Sequence, residues 1–510
     1  MYRIRFAGLL LLLSLTGCAV NPVTGERQLI TVSPQQEIAM GEQAYGPTQQ
    51  SQGGEYDVDP ELTAYVQRVG ARVAAHAESP LPYEFVVLNN SVPNAWALPG
   101  GKIAINRGLL TELDSEAELA AVLGHEVVHA AARHSAQQMT RAMLSQVLVV
   151  ATAVVARDSQ YGNLAVGGAA TGAQLINSAY GRGAELESDK YGMRYMSKAG
   201  YDPTGAITLQ ETFVRLSEGR RQDWLSGLFA SHPPSPARVA ANRQTAATLP
   251  AGGELGVEAY ERALAKTRRI KPAYDAYDEG RQALADGDRE RALSLANRAL
   301  DLFPDEAHFH SLRGDIRLTE KNYAWAETNY TRAIDRREDF FYYHLQRGMA
   351  RREQGELDGA RRDLEASLEL MPTAPAHYTL GTLAEDRGDV AMALEHYKVL
   401  AGQQGDYGAA ARGRIARLDL PGNPSAYIPF NCVADGQQQL IVQVRNDAPE
   451  ALRNIRVAVG FTGADGRSRE QSHAYRGQLA PGQIANIATG LAPYTGGGCP
   501  VRVIGAEFAN

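Results

Sequence analysis

Residues 125–129 read His125-Glu126-Val127-Val128-His129. Two histidines four residues apart stand on one face of one helix, so both imidazoles can reach a single metal ion. Glu126, one residue on, sits beside the coordination position they leave open, where a general base is needed. The bland alternative is two surface histidines on an exposed helix. It fits badly, because Leu119 to Val122 and Val127-Val128 make this helix apolar, and burying two unpaired histidines is costly. Ser115, with Glu118 three residues later, predicts a capping box just ahead of the apolar run that begins at Leu119.

A catalytic zinc ion, one per chain, takes three protein ligands and leaves the fourth place to water. The third must come from farther along. Glu185-Leu186-Glu187-Ser188-Asp189 offers Glu185 and Asp189 at i, i+4 on one helix face. Glu187 competes as the third ligand, but helical periodicity turns it about 200° away from Glu185. His134, five residues beyond His129, is turned off the metal face and reads as structural. His308, His310, His344, His377 and His396 fall among repeats and read as packing or surface residues.

Here a resemblance enters. The stretch from Tyr180-Gly181-Arg182 through Gly192 resembles the E-x-x-x-D segment of metallopeptidase family forty-eight, which includes the CAAX prenyl proteases. Asn94-Ala95-Trp96-Ala97-Leu98-Pro99-Gly100-Gly101 is similar to another characteristic stretch of that family, and the likeness runs from about Glu37 to Asn242. The chain departs from it in Gly181, where many members carry Ser, and in an extra C-terminal domain. The resemblance implies a zincin-like fold with His125, His129 and Glu185 as zinc ligands. It implies Glu126 as general base, and Asp189 as a carboxylate that orients a ligand histidine or donates a proton. His232 lies in Ser231-His232-Pro233-Pro234-Ser235-Pro236, a loop stiffened by three prolines. The segment is similar to a loop of periplasmic members whose histidine can take the fourth zinc position and act as a latch. The plainer reading is a loop histidine that packs or contacts substrate. Lys102 to Asn106 alternates as a strand and is expected to pair with an extended substrate backbone.

The N-terminus gives the compartment. Arg3 and Arg5 precede an apolar run from Phe6 through Leu15, too short to span a membrane and suited to a signal segment. Leu15-Thr16-Gly17-Cys18 resembles the bacterial lipobox, which implies cleavage before Cys18 and lipid on that cysteine; an ordinary secretory signal with an incidental Cys is the alternative. Cleavage removes Arg3 and Arg5 and takes the net charge from −7 to −9. Ala19, not Asp, follows the cysteine and favours the outer membrane, so the expected place is the periplasm, on that membrane's inner face. Cys432 and Cys499 then remain as an even pair in an oxidising compartment, where a disulfide is expected and two buried thiols are the alternative. The acidic charge and the lack of a clustered Lys/Arg face argue against nucleic acid. Ala142 to Ala156 is apolar and uncharged, but it is short for a span and reads, with Ser159 to Gly181, as buried helix plus loop.

A repeat follows. Gly280, Gly314, Gly348 and Gly381, and in step Ala292, Ala326, Ala360 and Ala393, recur at a period of about 34 residues. That period, with small residues where two helices cross, is the tetratricopeptide signature. Beyond Pro421, Gln439 to Val444 and Ile455 to Phe461 alternate as strands of a small all-β domain. The expected chain is therefore mainly α. Residues 1–17 are the signal, 18–57 a tether with a short helix, and 58–250 a zinc metalloprotease domain with a small sheet. Residues 258–418 form a tetratricopeptide α-solenoid and 425–510 the β domain. The function this implies is a zinc endopeptidase acting on misfolded or stalled envelope proteins, its repeats recruiting substrate or outer-membrane assembly machinery. The rival is a periplasmic chaperone or assembly scaffold whose peptidase is mostly latent.

Overall fold

The computed structural model describes residues 18–145, 161, 164–166, 180–219, 228–229, 231–462, 465–491 and 498–509. The signal segment, and all but the first residues of the apolar stretch from Ala142 to Ala156, lie outside the described residues. Among the described residues no helix is long and apolar enough to cross a membrane. Contacts divide the chain into two compact units, Met1–Thr373 and Ala374–Asn510. It is mainly helical, with helix pairs through the middle of the chain and small sheets near the C-terminus.

The first unit opens with a short antiparallel pair, β1 (Cys18–Val20) and β2 (Arg27–Leu29). Helix α1 (Pro34–Ser51) follows, closed at its start by a Ser33–Gln36 capping box. Helix α2 (Pro60–Ala74) buries Leu62, Val66, Val69 and Val73 along one stripe, as its periodicity requires. A three-stranded sheet runs in the order β3 (Glu84–Leu88), β5 (Lys102–Asn106), β4 (Ala95–Leu98). Strand β5 is parallel to β3 and antiparallel to β4, with Ala95 opposite Ile105. The expectation that Lys102–Asn106 pairs with substrate is therefore corrected: both of its edges are already hydrogen-bonded, one to β3 and one to β4.

Helix α3 (Glu116–Ala131) runs through the core and is buried from Ala117 to Ala131. The box at its start is only half made. Ser115 caps the Glu118 amide, but the Glu118 carboxylate accepts from the Asp114 amide instead of returning to Ser115. Helix α4 (His134–Ser145) follows at once; α5 (Arg182–Lys198) then crosses α3, with α6 (Thr204–Gly219) and α7 (Pro236–Ala246) packed beside them. The α3–α5 crossing is tight because it is made by glycines. A Cβ on Gly192 of α5 would lie 2.9 Å from the Gly124 carbonyl carbon and from the His125 nitrogen.

The repeats of this unit are the helix pairs α8 (Val257–Ala285) with α9 (Arg289–Leu302), α10 (Ala307–Thr319) with α11 (Tyr323–Ile334), and α12 (Phe341–Glu353) with α13 (Leu357–Leu370). Ala292, Ala326 and Ala360 are fully buried. At Gly314 a Cβ would meet the Tyr330 ring at 2.7 Å, and at Gly280 and Gly348 it would meet Leu312 and Leu364 at 3.1 and 3.0 Å, so each crossing leaves little room for a side chain.

The second unit holds α14 (Ala374–Asp386), α15 (Val390–Ala401) and α16 (Asp406–Asp419), then two three-stranded antiparallel sheets. One sheet is β10 (Ile484–Ala488), β7 (Leu440–Arg445) and β6 (Phe430–Ala434). The other is β11 (Val501–Phe508), β8 (Leu452–Thr462) and β9 (Ser468–Tyr475). Val442 and Ile487 of one sheet share a core with Ile455, Val457 and Val503 of the other, so the domain is a sandwich. A disulfide joins Cys432 to Cys499, whose Cα atoms are 5.5 Å apart.

Gly192→Ala tests the crossing. The added methyl should drive α5 off α3 and cost about 1–3 kcal/mol as overpacking does, read as a lower denaturation midpoint. An unchanged midpoint would mean the crossing tolerates a methyl.

Candidate metal centre

Helix α3 projects His125 and His129 one turn apart, and α5 brings Glu185 from its first turn to the same point. His232 arrives from the proline-stiffened loop. The four residues are buried, and one ligand atom from each lies within 4.8 Å of the others. His125 Nε2 is 3.0 Å from His129 Nε2 and 3.3 Å from His232 Nδ1. Glu185 Oε1 is 3.1 Å from His232 Nδ1 and 3.3 Å from His129 Nε2. Four donors about 2.0–2.1 Å from one ion stand about 3.3–3.4 Å apart at tetrahedral corners, so the spacing fits a metal.

Charge points the same way. Glu126, Glu185 and Asp189 are all buried, and the fixed cation among them in the described residues is Arg238. Three carboxylates against one guanidinium leave an excess of two negative charges, which a divalent cation would offset. Burial pushes the Glu126 carboxyl up, against the pull of His232 and His125. Burial acts the same way on Glu185, but His232, His125 and His129 beside it prevail and hold its carboxyl well below the usual range. His129 is driven well below its ordinary value, first by burial, so its imidazole is neutral, as a ligand must be.

Each ligand has a support behind it. His125 Nδ1 lies 3.0 Å from Asp189 Oδ1, and Asp189 in turn accepts from Arg238 Nε and Nη2 at 2.7 Å each. Arg238 also reaches Glu185 Oε2 at 2.8 Å, so one guanidinium ties both carboxylates. His129 Nδ1 faces His134 Nδ1 at 3.0 Å. For His129 to present Nε2 as a lone pair, its Nδ1 must donate to His134; His134 then carries its proton on Nε2, 3.5 Å from Glu187 Oε1. Asn21 holds Glu187 through a 2.7 Å bond, and the Tyr180 ring stacks on His129 at 3.9 Å.

The structure thus brings together His125, Glu126, His129, Glu185, Asp189 and His232. Glu187 points away from the cluster, toward His134. Sequence reasoning missed Arg238, Tyr180 and the link from His134 to His129. Tyr180 stood beside a quoted motif; nothing local marks Arg238, which meets Asp189 across 49 residues of chain.

Beside the cluster is a cavity whose apolar wall is formed by Ala95, Val122, Met193, Leu209, Phe213 and Leu228, with His125, Glu126 and His232 on its polar side. Glu126 Oε2 is buried there with no hydrogen-bond partner among the described residues. A carboxylate oxygen left bare next to converging imidazoles can take a proton from a water molecule or substrate.

Asp189→Ala should weaken divalent-metal binding by about 10–100-fold, the usual cost of removing a group that orients a ligand. Competition with a chromophoric chelator measures it. Unchanged affinity would show that the carboxylate does not orient His125.

The comparisons with known proteins agree with this geometry. The model of peptidase family M48 matches residues 60–246, and that of the tetratricopeptide repeat matches 277–339 and 345–409. The beta-barrel assembly-enhancing protease of Yersinia pestis is 34% identical over 188 residues, which cover 36% of this chain and 38% of that protein. Its namesake in Escherichia coli K12 is 30% identical over 222 residues, 42% of this chain and 45% of that protein. The chain thus spans less than half the length of these two relatives. Metalloprotease YcaL of Escherichia coli K12 is 31% identical over 194 residues, 36% of this chain and 73% of that protein. A catalytic-type helix, a distant carboxylate brought to it across a glycine crossing and a relative matched over most of its length agree: the chain belongs to peptidase family M48.

Proposed function

We propose that this chain is a zinc-dependent endopeptidase of the cell envelope that hydrolyses peptide bonds in misfolded or stalled outer-membrane proteins. The observation that carries the reading is the buried His125–His129–Glu185 cluster with the bare Glu126 oxygen beside it, opening on an apolar cavity. Zinc bound there would supply Lewis acidity to the scissile carbonyl and acidify water. Glu126 takes the proton of the attacking water at Oε2 and hands it to the leaving amine. Asp189 and Arg238 hold His125 and Glu185 in place through these steps. An envelope location rests on the Leu15-Thr16-Gly17-Cys18 lipobox and its lipid, and recruitment of clients or assembly machinery on the repeats. The names of two relatives, beta-barrel assembly-enhancing proteases, support outer-membrane proteins as the client class.

A second reading, a chaperone or scaffold whose peptidase is mostly latent, is favoured by one observation. His232 Nδ1 stands at the cluster, where it would fill the position that catalysis leaves to water. We take it as a latch on the same enzyme.

Glu126→Gln should lower cleavage of unfolded casein by about 10²–10⁴-fold, the usual worth of a general base, with bound zinc unchanged by elemental analysis. Residual turnover near that of the parent would put the base elsewhere. His232→Ala should raise casein cleavage or bring on self-cleavage. If that variant loses activity while keeping its zinc, the histidine serves substrate or transition state and is no latch.

A further inference from the structure

Two amides interrupt the apolar wall of the cavity beside the metal cluster. Helix α6 turns Ala206, Leu209, Gln210 and Phe213 toward it, the i, i+3, i+4, i+7 stripe of one helix face. Three of the four are apolar, as a stripe in that position should be, and Gln210 is the exception. Asn242 of α7 lines the same cavity. Its Nδ2 donates to the Ala206 carbonyl at 3.1 Å, which fixes the direction of its amide. Gln210 is 3% exposed and Asn242 2%. Gln210 Oε1 and Asn242 Oδ1 are both buried with no hydrogen-bond partner among the described residues.

Burying an amide carbonyl without a donor is costly, and leucine would be the more stable occupant of either position. Two such carbonyls on neighbouring helices, lining a cavity shared with His125 and Glu126, are acceptors held ready for a donor from outside the chain. The rest of the lining narrows what carries that donor. Ala95, Val122, Met193, Phe213 and Leu228 call for an apolar body, which Ser and Thr are too short to supply. A substrate amide, from Asn or Gln, would bring a further carbonyl in need of a donor. With a divalent ion offsetting the buried carboxylates, a Lys, Arg, Asp or Glu side chain would enter as an uncompensated charge. An aromatic ring with a single donor at its tip meets every condition.

We propose that this cavity is the specificity pocket of the peptidase and takes a tyrosine side chain next to the scissile bond, its hydroxyl donating to Gln210 Oε1 or Asn242 Oδ1. Phe fills the same wall but leaves both carbonyls unpaired, and discrimination arises there. Unfolded strands of outer-membrane barrels, whose aromatic girdles lie at both membrane interfaces, carry such residues. The inference rests on the peptidase reading and names the residue that its substrates present.

The experiment uses the full mature chain with zinc. Its probes are two unstructured peptides of alanine, serine and glycine that differ in one residue, Tyr or Phe. The parent should cut the Tyr peptide beside the Tyr, by mass spectrometry, with kcat/KM about tenfold or more above that for Phe. At least one of Gln210→Leu and Asn242→Leu should bring that ratio to near one by losing Tyr cleavage while keeping Phe cleavage. The ratio compares two substrates on one preparation, so a partly folded variant cannot imitate the effect. Binding of the fluorescein-labelled peptides to Glu126→Gln, read by anisotropy, supplies an arm without cleavage, and the Tyr peptide should again be preferred. Equal cleavage of both peptides by the parent, or the parent's ratio in both variants, would overturn the proposal. Should casein be cut with no preference for Tyr beside the bond, the pocket fails and the peptidase reading stands. Should Glu126→Gln prefer the Tyr peptide while the parent cuts neither peptide nor casein, the peptidase reading fails and the pocket stands as a binding site.

Discussion

The contact of Gly124 with Gly192 is the constraint on which the rest of the peptidase fold depends. Two helices normally keep their axes 8–10 Å apart because side chains intervene. Here the backbones meet, since even one Cβ on Gly192 would come within 2.9 Å of backbone atoms of α3. Glu185 and Asp189 precede Gly192 by two turns and one turn, so the face that meets α3 also carries both carboxylates. His125 is the neighbour of Gly124. Backbone proximity is therefore converted directly into ligand proximity, and a short carboxylate on one helix reaches an imidazole on the other without a loop between them.

That closeness creates an electrostatic problem, which Arg238 partly answers. Glu126, Glu185 and Asp189 sit in a region with little water, where each charge loses its hydration. Arg238 binds Asp189 with two nitrogens and Glu185 with a third, so the pair is geometrically fixed as well as partly neutralised. Glu126 gets no guanidinium: His232 Nε2 stands 3.7 Å from its Oε1, and Oε2 has no hydrogen-bond partner among the described residues. Its bare oxygen is the cost of keeping a base available, and the burial that raises its proton affinity suits it to that use.

What was legible in the sequence was what helical spacing encodes. His125 and His129, Glu185 and Asp189, and the glycines and alanines of the repeats are each placed by a period, and the structure puts each on the face that period demands. The rejection of Glu187 as the third ligand rested on the same periodicity, and its carboxylate does point to His134. Partners that meet across long stretches of chain were invisible: Arg238 with Asp189, Asn21 with Glu187, Tyr161 with Phe341. His134 is structural, as its spacing implies, but its bond to His129 was not legible from a continuous helix. Instead α3 ends at Ala131 and Arg133 adopts φ 62°, so α4 starts afresh and swings His134 back toward His129. The substrate pairing expected of Lys102–Asn106 failed for a related reason. Alternation in Lys102–Asn106 identifies a strand but says nothing about which neighbours it acquires.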